Sequence, residues 1–515
     1  MQFWRYPVIL TAILLLFFSY LHSTPHFADP DSFYHARITA LMLDQGSYIK
    51  KFPWLPLTSL ADSYIDHHLL YHIFLLPFIA LFGPLWGIKI ATTFASGAVF
   101  FVFWVLLTRC VPLPPSKKKA FLVTVFTASL VFNELFLLRV NLEKIPALGM
   151  LWLLAGIYAI TSMRVKTLFF LSLFYVWLHS GWPLLPLVSV VGWTAYKFEK
   201  KYLWIPIASC AGALSGLIIN PYFPTNLSFY LVQIYHVAII TYRDLIPIGA
   251  EWYPLGFQLI PKSIIAILGL VVGSVVFLTR DVFARAGEKI HRAPQEWFLF
   301  LLSLVLLALT MKSARHAEYF IPVATLFSGI ICIPILAQIS WSSVKEKITS
   351  FLAKGFAPTF GVVLFFSLFL LTLLFSVRSV VATFVQKGSQ ESTKEIAYWL
   401  SEHTPPQSIV FNDRWDLFPG LLYYNQNNRY ISGLDPTFLY VKDSDQYWLY
   451  NALSSGVIQK DSASLIRKNF HADTIVVTKE NSALRAVLKK DPGVTKNFEN
   501  SKAIIYSITA GSSQE

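Results

Sequence analysis

Apolar runs of roughly twenty residues recur along most of the chain, separated by short polar stretches. That is the pattern of helices that cross a bilayer. The first runs from Tyr6 to His22. Its Phe and Leu content, and the lack of a small-x-small cleavage site, predict a retained anchor and not a cleaved signal. A polar stretch to His68 follows, then the short apolar segment Leu69 to Gly83. That segment is marginal for spanning and is predicted to lie at the interface. Further spans are predicted near 88–108, 120–138, 145–162, 167–179, 182–197, 202–220, 260–279, 297–311, 319–339 and 357–377, about eleven in all. From Arg378 the pattern changes. Glu395 to His403 has helical spacing, while Ser408 to Phe411 and Thr474 to Val477 read as strands. The expected architecture is an α-helical polytopic membrane protein over residues 1–380, followed by a small α/β domain over residues 381–515. No repeat of fixed period and no low-complexity tract interrupts it.

Composition agrees. The 515 residues are 55% hydrophobic and 14% charged, less charge than a soluble chain of this length carries. The formal net charge is +13. It does not point to nucleic acid, because the basic residues cluster in short loops between apolar runs. Lys117-Lys118-Lys119, Arg164 with Lys166, Lys197 with Lys200 and Lys201, Arg280 with Arg285, Lys289 and Arg292, and Lys345 with Lys347 and Lys354 all fall on one side. This holds only if Leu69 to Gly83 does not fully cross. The positive-inside rule makes that side the cytoplasm. The chain is then expected in the plasma (inner) membrane, with a cytoplasmic N-terminus and an extracytoplasmic C-terminal domain. The outer face receives the first outer loop 23–87, the turn Arg139 to Lys144, the long loop 221–258, the turn Lys312 to Glu318 and the tail. Cys110, Cys210 and Cys332 form no spacing motif for a disulfide framework or a metal knuckle.

With that topology the outer face collects Asp29, Asp31, His35, Arg37, Asp62, Asp66, His67, His68, Arg139, Glu143, Glu251, Arg315, His316 and Glu318. Carboxylates suit Mg²⁺ or Mn²⁺, hard cations that keep waters or substrate phosphates in their remaining positions. Such an ion neutralises a phosphate leaving group. Arginines clamp phosphate oxygens bidentately, and a carboxylate also serves as general base. Plainer readings stand beside these. Asp62 reads first as a polar loop residue. Asp29 before Pro30 suits the cap of a helix beginning at Asp31. His67-His68 with Asp66 has zinc-ligand chemistry, but adjacent histidines do not share a helix face and no third ligand lies nearby. Arg315 and Glu318, three apart, suit an ion pair at a helix start.

Asp31-Ser-Phe-Tyr34-His35-Ala-Arg37 resembles the first acidic motif of the oligosaccharyltransferase catalytic subunit. Archaeal members in particular read as an Asp, aromatic residues with Tyr-His, then an Arg six residues after the Asp. The motif also follows the first span and precedes a helix ending at Gly46, as in that family. The tail adds Ala397-Tyr-Trp399-Leu-Ser-Glu-His-Thr404-Pro405, then Val410-Phe-Asn-Asp-Arg414-Trp415-Asp416. This is similar to the family's entry to its soluble domain, which leads to a Trp-Trp-Asp-Tyr-Gly motif. Trp415 and Asp416 match its second and third positions. Arg414 replaces the first Trp, and Leu417-Phe418 replaces Tyr-Gly. That departure weighs against recognition of an asparagine sequon.

The resemblance implies a fold of the GT-C type and a membrane glycosyltransferase. Its donor would be a sugar or oligosaccharide on a polyprenyl phosphate, and its acceptor a protein or glycan on the non-cytoplasmic face. It makes Asp31 the metal ligand and acceptor activator. Glu143 and Glu251 would complete the Mg²⁺ or Mn²⁺ site, and Glu251 would act as a second catalytic acid. Asp29, His35, Arg37, Asp66, His67, Arg139, Arg315, His316, Trp415 and Asp416 are the expected substrate contacts. A true asparagine-linked oligosaccharyltransferase is the alternative acceptor reading. A polar-lipid transporter or flippase is the alternative of another class, since transporters place functional charges at the bilayer midplane, often with broken helices.

Overall fold

The computed structural model describes residues 2–240, 245–280, 292–340, 356–385 and 390–509, with isolated positions between 340 and 356. Each apolar run forms a helix: Arg5–Leu21, Pro146–Thr161, Val165–Leu178, Leu184–Ala195, Trp204–Ile218, Ile264–Thr279, Pro294–Lys312, Ala317–Gln338 and Phe356–Val385 among them. Proline opens three of these or their neighbours (Pro30, Pro146, Pro294), where its missing N–H has no helical partner to lose. The expected count of about eleven crossings is not reproduced by length. Among the described residues, four helices are long and apolar enough to cross a bilayer, or six if each of two bent pairs is one span. Five more apolar helices are shorter than that test requires. Arg285, Lys289, Lys345, Lys347 and Lys354 lie outside the described residues.

The chain gathers into two compact units. The first holds Met1–Thr24, Ile90–Ile219 and Glu251–Val385; the second holds Pro25–Lys89, Asn220–Ala250 and Gln386–Glu515. The division is thus not the contiguous one expected, because two outer segments pack with the tail.

In the first unit, two helices turn through nearly a right angle. Lys117–Phe132 meets Glu134–Asn141 at 82°, and Gly256–Lys262 meets Ile264–Thr279 at 87°. A bend frees backbone groups that need partners. Asn133 supplies one: its buried Oδ1 accepts from the Ala266 N–H at 3.1 Å, while its Nδ2 donates to the Ser129 carbonyl at 3.1 Å. Lys262 and Glu134 face each other at 3.6 Å, and Ser379 Oγ donates to Glu134 at 3.0 Å. The two breaks are therefore tied to each other.

In the second unit, the Pro30–Gln45 helix is capped by Asp29, whose side chain accepts from the Asp31 N–H at 2.9 Å. It stops at Gly46, with φ 63°. The tail forms a five-stranded sheet of β1 (Ile409–Asn412), β2 (Arg429–Tyr430), β3 (Ala472–Thr478), β4 (Val494–Glu499) and β5 (Ala503–Ile508). The order is β2-β1-β3-β5-β4, with β1 parallel to β2 and β3, and β5 antiparallel to β3 and β4. The expected helix and both expected strands are present. The first outer loop is sewn to this domain. Trp54 Nε1 donates to the Gln426 carbonyl at 3.1 Å, and the Tyr430 N–H donates to the Trp54 carbonyl at 2.8 Å. Asp62, the plain loop acid, pairs with Lys442 at the surface.

Leu69 to Gly83 is a helix of its own. It is followed without a loop by a longer one reaching Cys110, and Gly83 sits at φ 73°, ψ 168° between them, a conformation only glycine holds cheaply. A Cβ on Gly87 would lie 2.6 Å from the Phe78 carbonyl oxygen and 2.7 Å from the Ile79 backbone, so the second helix folds back against the first. Ile73, Leu81, Phe82 and Trp86 remain exposed. Gly83→Ala should cost about 1–3 kcal/mol. Gly87→Ala should cost more, because the obstacle is backbone. Thermal unfolding of the detergent-solubilised protein reads both, and a wild-type melting temperature for Gly87→Ala would show that the helices are not back to back.

Candidate functional site

The first unit builds a charged centre around Arg139. Arg139 stands on the last turn of the bent Glu134–Asn141 helix, so the 82° break directs it. Its NH1 donates to Glu251 Oε2 at 2.6 Å, and its Nε donates to Glu318. Glu251 comes from the loop 221–258, whose last part is pinned to the head of the Ala317–Gln338 helix. Ser313 Oγ donates to the Glu251 carbonyl at 3.0 Å, and the Ala314 N–H donates to the Tyr253 carbonyl at 3.1 Å. Arg315 completes the group. It lies 3.7 Å from Glu251 and its guanidinium covers the Trp252 ring at 4.3 Å from the centroid, a cation–π placement. His179 Nε2 lies 3.5 Å from it.

Sequence spacing paired Arg315 with Glu318. The structure pairs Glu318 with Arg139 and turns Arg315 to the loop, because the 3₁₀ turn Ala314–His316 separates Arg315 from the helix that carries Glu318. Glu318, not among the expected site residues, is the acid that anchors the centre. His316 is half-buried and faces the Ser313 carbonyl at 3.3 Å.

Burial opposes ionisation of Glu251. Arg139 first, then Arg315 and Lys144, outweigh it and hold the carboxyl well below the usual carboxylate range. A carboxylate so stabilised is a poor proton acceptor. Two guanidinium groups, Arg139 and Arg315, thus meet two carboxylates, Glu251 and Glu318.

That donor set does not fit a divalent cation. Glu251 is neutralised by guanidinium groups. Glu143, the other expected ligand, is fully buried and accepts from His22 Nδ1 at 3.1 Å. Among the described residues, no three His, Cys, Asp or Glu side chains group to hold an ion. Of the expected ligands Asp31, Glu143 and Glu251, Glu143 is thus hydrogen-bonded to His22 and Glu251 to Arg139. His22 carried no motif; only its place at the end of the first span marked it.

The second unit holds the remaining candidates. Asp31 and His35 lie one turn apart on one face of the Pro30–Gln45 helix. His35 is buried in a chain: Asp66 Oδ2 accepts from His72 Nδ1 at 2.7 Å, and His72 Nε2 faces His35 Nδ1 at 2.9 Å. Asp66 Oδ1 also accepts from the His68 N–H at 3.0 Å. His72 was not among the expected site residues. Its spacing, four beyond His68 on the helix that starts at Leu69, was the available signal. Tyr34 shares a 2.7 Å hydrogen bond with Tyr64, and burial, then Asp66, push its hydroxyl well above the ordinary value. His67 packs on His68 and on Phe229. Arg37 is partly buried near Asp44 and Tyr423, its Nε without a hydrogen bond among the described residues. Trp415 and Asp416 begin a 3₁₀ turn after β1. Arg414, in the place of the missing Trp, grips Asp416 with Nε at 2.9 Å and NH2 at 2.6 Å, and also pairs with Glu480.

No family model matches the sequence, and no curated protein matches it. Solved structures do. The archaeal oligosaccharyltransferase AglB from Archaeoglobus fulgidus, in complex with an inhibitory peptide and a dolichol-phosphate, superposes with TM-score 0.61 at 11% identity, over 98% of this chain and 74% of the other. ArnT from Cupriavidus metallidurans, bound to undecaprenyl phosphate, superposes with TM-score 0.57 at 14% identity, over 98% of each chain. The fold is that of the GT-C glycosyltransferases. The archaeal enzyme is also similar in a complex with Zn and sulfate, with TM-score 0.55 at 11% identity, over 97% of this chain and 73% of the other.

Replacing Glu251 with Gln should lower stability, since Arg139 loses one of two partners in a partly buried centre. The sign follows from the lowered carboxyl pKa. The stabilisation is complete above the ordinary carboxylate range and is lost as pH falls through the depressed value. The melting-temperature gap between wild type and Glu251→Gln should therefore stay constant above about pH 5 and close on further acidification. A gap that closes near neutral pH would remove this reading.

Proposed function

We propose that the chain is an integral membrane glycosyltransferase that moves a sugar or oligosaccharide from a polyprenyl-phosphate-linked donor to an acceptor on the non-cytoplasmic face. The observation that carries it is the two-arginine centre of Arg139 and Arg315, in a fold whose neighbours were solved with dolichol-phosphate and with undecaprenyl phosphate. The acceptor heteroatom attacks the anomeric carbon. The bond from that carbon to the phosphate oxygen breaks, the polyprenyl-linked phosphate leaves with the electron pair, and the acceptor loses its proton.

Arg315 is assigned to the leaving phosphate. Its contacts to Glu251 and His179 are long, so its fork is less committed than that of Arg139, whose Nε and NH1 are bonded. Arg139 holds the centre together. In the second unit, Asp31 is assigned to orient and deprotonate the acceptor, and His35, on the same helix face, to assist it. Placement in the plasma membrane with the N-terminus in the cytoplasm remains part of this proposal, supported by the basic loops of the sequence.

A polar-lipid flippase is the second reading, favoured by the two bent helices. Against it, the charged centre is built from connections and helix ends, not from the middle of the spans.

The test is transfer of a radiolabelled sugar from polyprenyl phosphate to a mixed acceptor pool by the purified protein. Asp31→Ala should abolish product. Arg315→Ala should lower kcat/KM by about a hundredfold, with Arg315→Lys restoring only part of it, because an ammonium lacks the planar fork. Glu251→Gln should leave any response to added Mg²⁺ or Mn²⁺ unchanged. Full activity in Asp31→Ala, or lipid translocation without product, would replace the transferase reading.

A further inference from the structure

Within the second unit, a cleft of about 230 Å³ opens beside the Asp29 cap. Among the described residues its walls include Phe27, Asp29, Phe33, Thr393, Asp416 and Lys502. It joins the residues just before Asp31 to the tail domain, and it contains two of the expected substrate contacts, Asp29 and Asp416.

We propose that this cleft is a saccharide subsite that seats one pyranose unit of the acceptor two residues from Asp31. As an acceptor subsite it rests on the glycosyltransferase reading above; as a saccharide site it does not.

The chemistry of the walls argues for a polyol. Ionised Asp29 and Asp416 only accept hydrogen bonds, and the Lys502 ammonium only donates. A sugar hydroxyl does both, so adjacent hydroxyls satisfy carboxylate and ammonium together. The polar groups are also held in place before a ligand arrives, which lowers the ordering cost of binding. Asp29 is fixed by its cap bond at 2.9 Å. Asp416 is fixed by the two bonds from Arg414, which use about half of a carboxylate's acceptor positions. Lys502 donates to Thr393 Oγ1 at 2.8 Å. Burial lowers the pKa of this lysine while Asp416 raises it.

The lining also has an apolar part, in which Phe27 and Phe33 meet edge to face with centroids 4.8 Å apart. The volume equals that of roughly eight waters, which is space for one sugar ring. The tail points the same way. Arg414 stands where the peptide-gripping motif would carry its first Trp, and it spends its donors on Asp416.

Saturation-transfer NMR on the full-length protein in nanodiscs tests this, with methyl glucoside, methyl mannoside, methyl galactoside and an Asn-Val-Thr tripeptide as probes. At least one glycoside should show saturation transfer and the tripeptide none. Asp29→Asn, which keeps a capping side chain, and Lys502→Met, which keeps the aliphatic stem, should each weaken that glycoside about tenfold, as loss of a hydrogen bond to a charged group does. Unchanged melting temperatures confirm that each variant folds; if Lys502→Met does not, Asp29→Asn decides. Glycoside binding undiminished in the folded variants would overturn the proposal, and so would tripeptide binding with no glycoside binding. Binding is read without turnover. An active transferase that binds no glycoside refutes the subsite alone, and a glycoside binder without transferase activity refutes the transferase reading alone.

Discussion

The guanidinium of Arg139, shared between Glu251 and Glu318, is the interaction on which the first unit's chemistry depends. Arg139 is 12% exposed and Glu318 5%, so neither charge is well solvated. Each needs the other, because a lone buried charge is far more costly than a paired one. The pairing has a geometric consequence. It draws together a bent helix, a long loop and the head of another helix, with the two glutamates 112 and 179 residues beyond Arg139 in sequence. Arg315 then adds a second guanidinium beside Glu251.

The same economy governs the second unit. Asp29 ends one helix and lines a cleft; Asp66 receives both a backbone N–H and an imidazole. The Asp66–His72–His35 chain is buried throughout, which fixes the orientation of the ring that shares a helix face with Asp31. Arg414 and Asp416 form a local clamp, the carboxylate held by two bonds from its neighbour. The loop 23–87 then gains its order from the tail domain, through Trp54 and Tyr430.

Much of this was legible along the chain. The length and spacing of apolar runs located the helices, since hydrophobic periodicity is a local property. Asp29-Pro30 marked a cap, Gly46 a stop and Gly83 a break, because each depends on backbone conformation within a few residues. The strands of the tail and the acids of the outer connections were visible for the same reason. The sequence by itself also determined where charge could accumulate, in loops and helix ends and not along the spans.

Which charges meet was decided only by the tertiary structure. Glu143 went to His22, Glu318 to Arg139 and Arg315 to Glu251, and none of these pairs follows from spacing. Right-angle bends at Asn133 and Ser263 redirect helices that hydropathy reads as straight, because burial of a few polar side chains sets the bend and hydropathy averages over them. Whether an acid serves as metal ligand or as salt-bridge partner turns on distances of a few ångströms between distant segments. Local sequence carries no information on those distances; packing alone sets them.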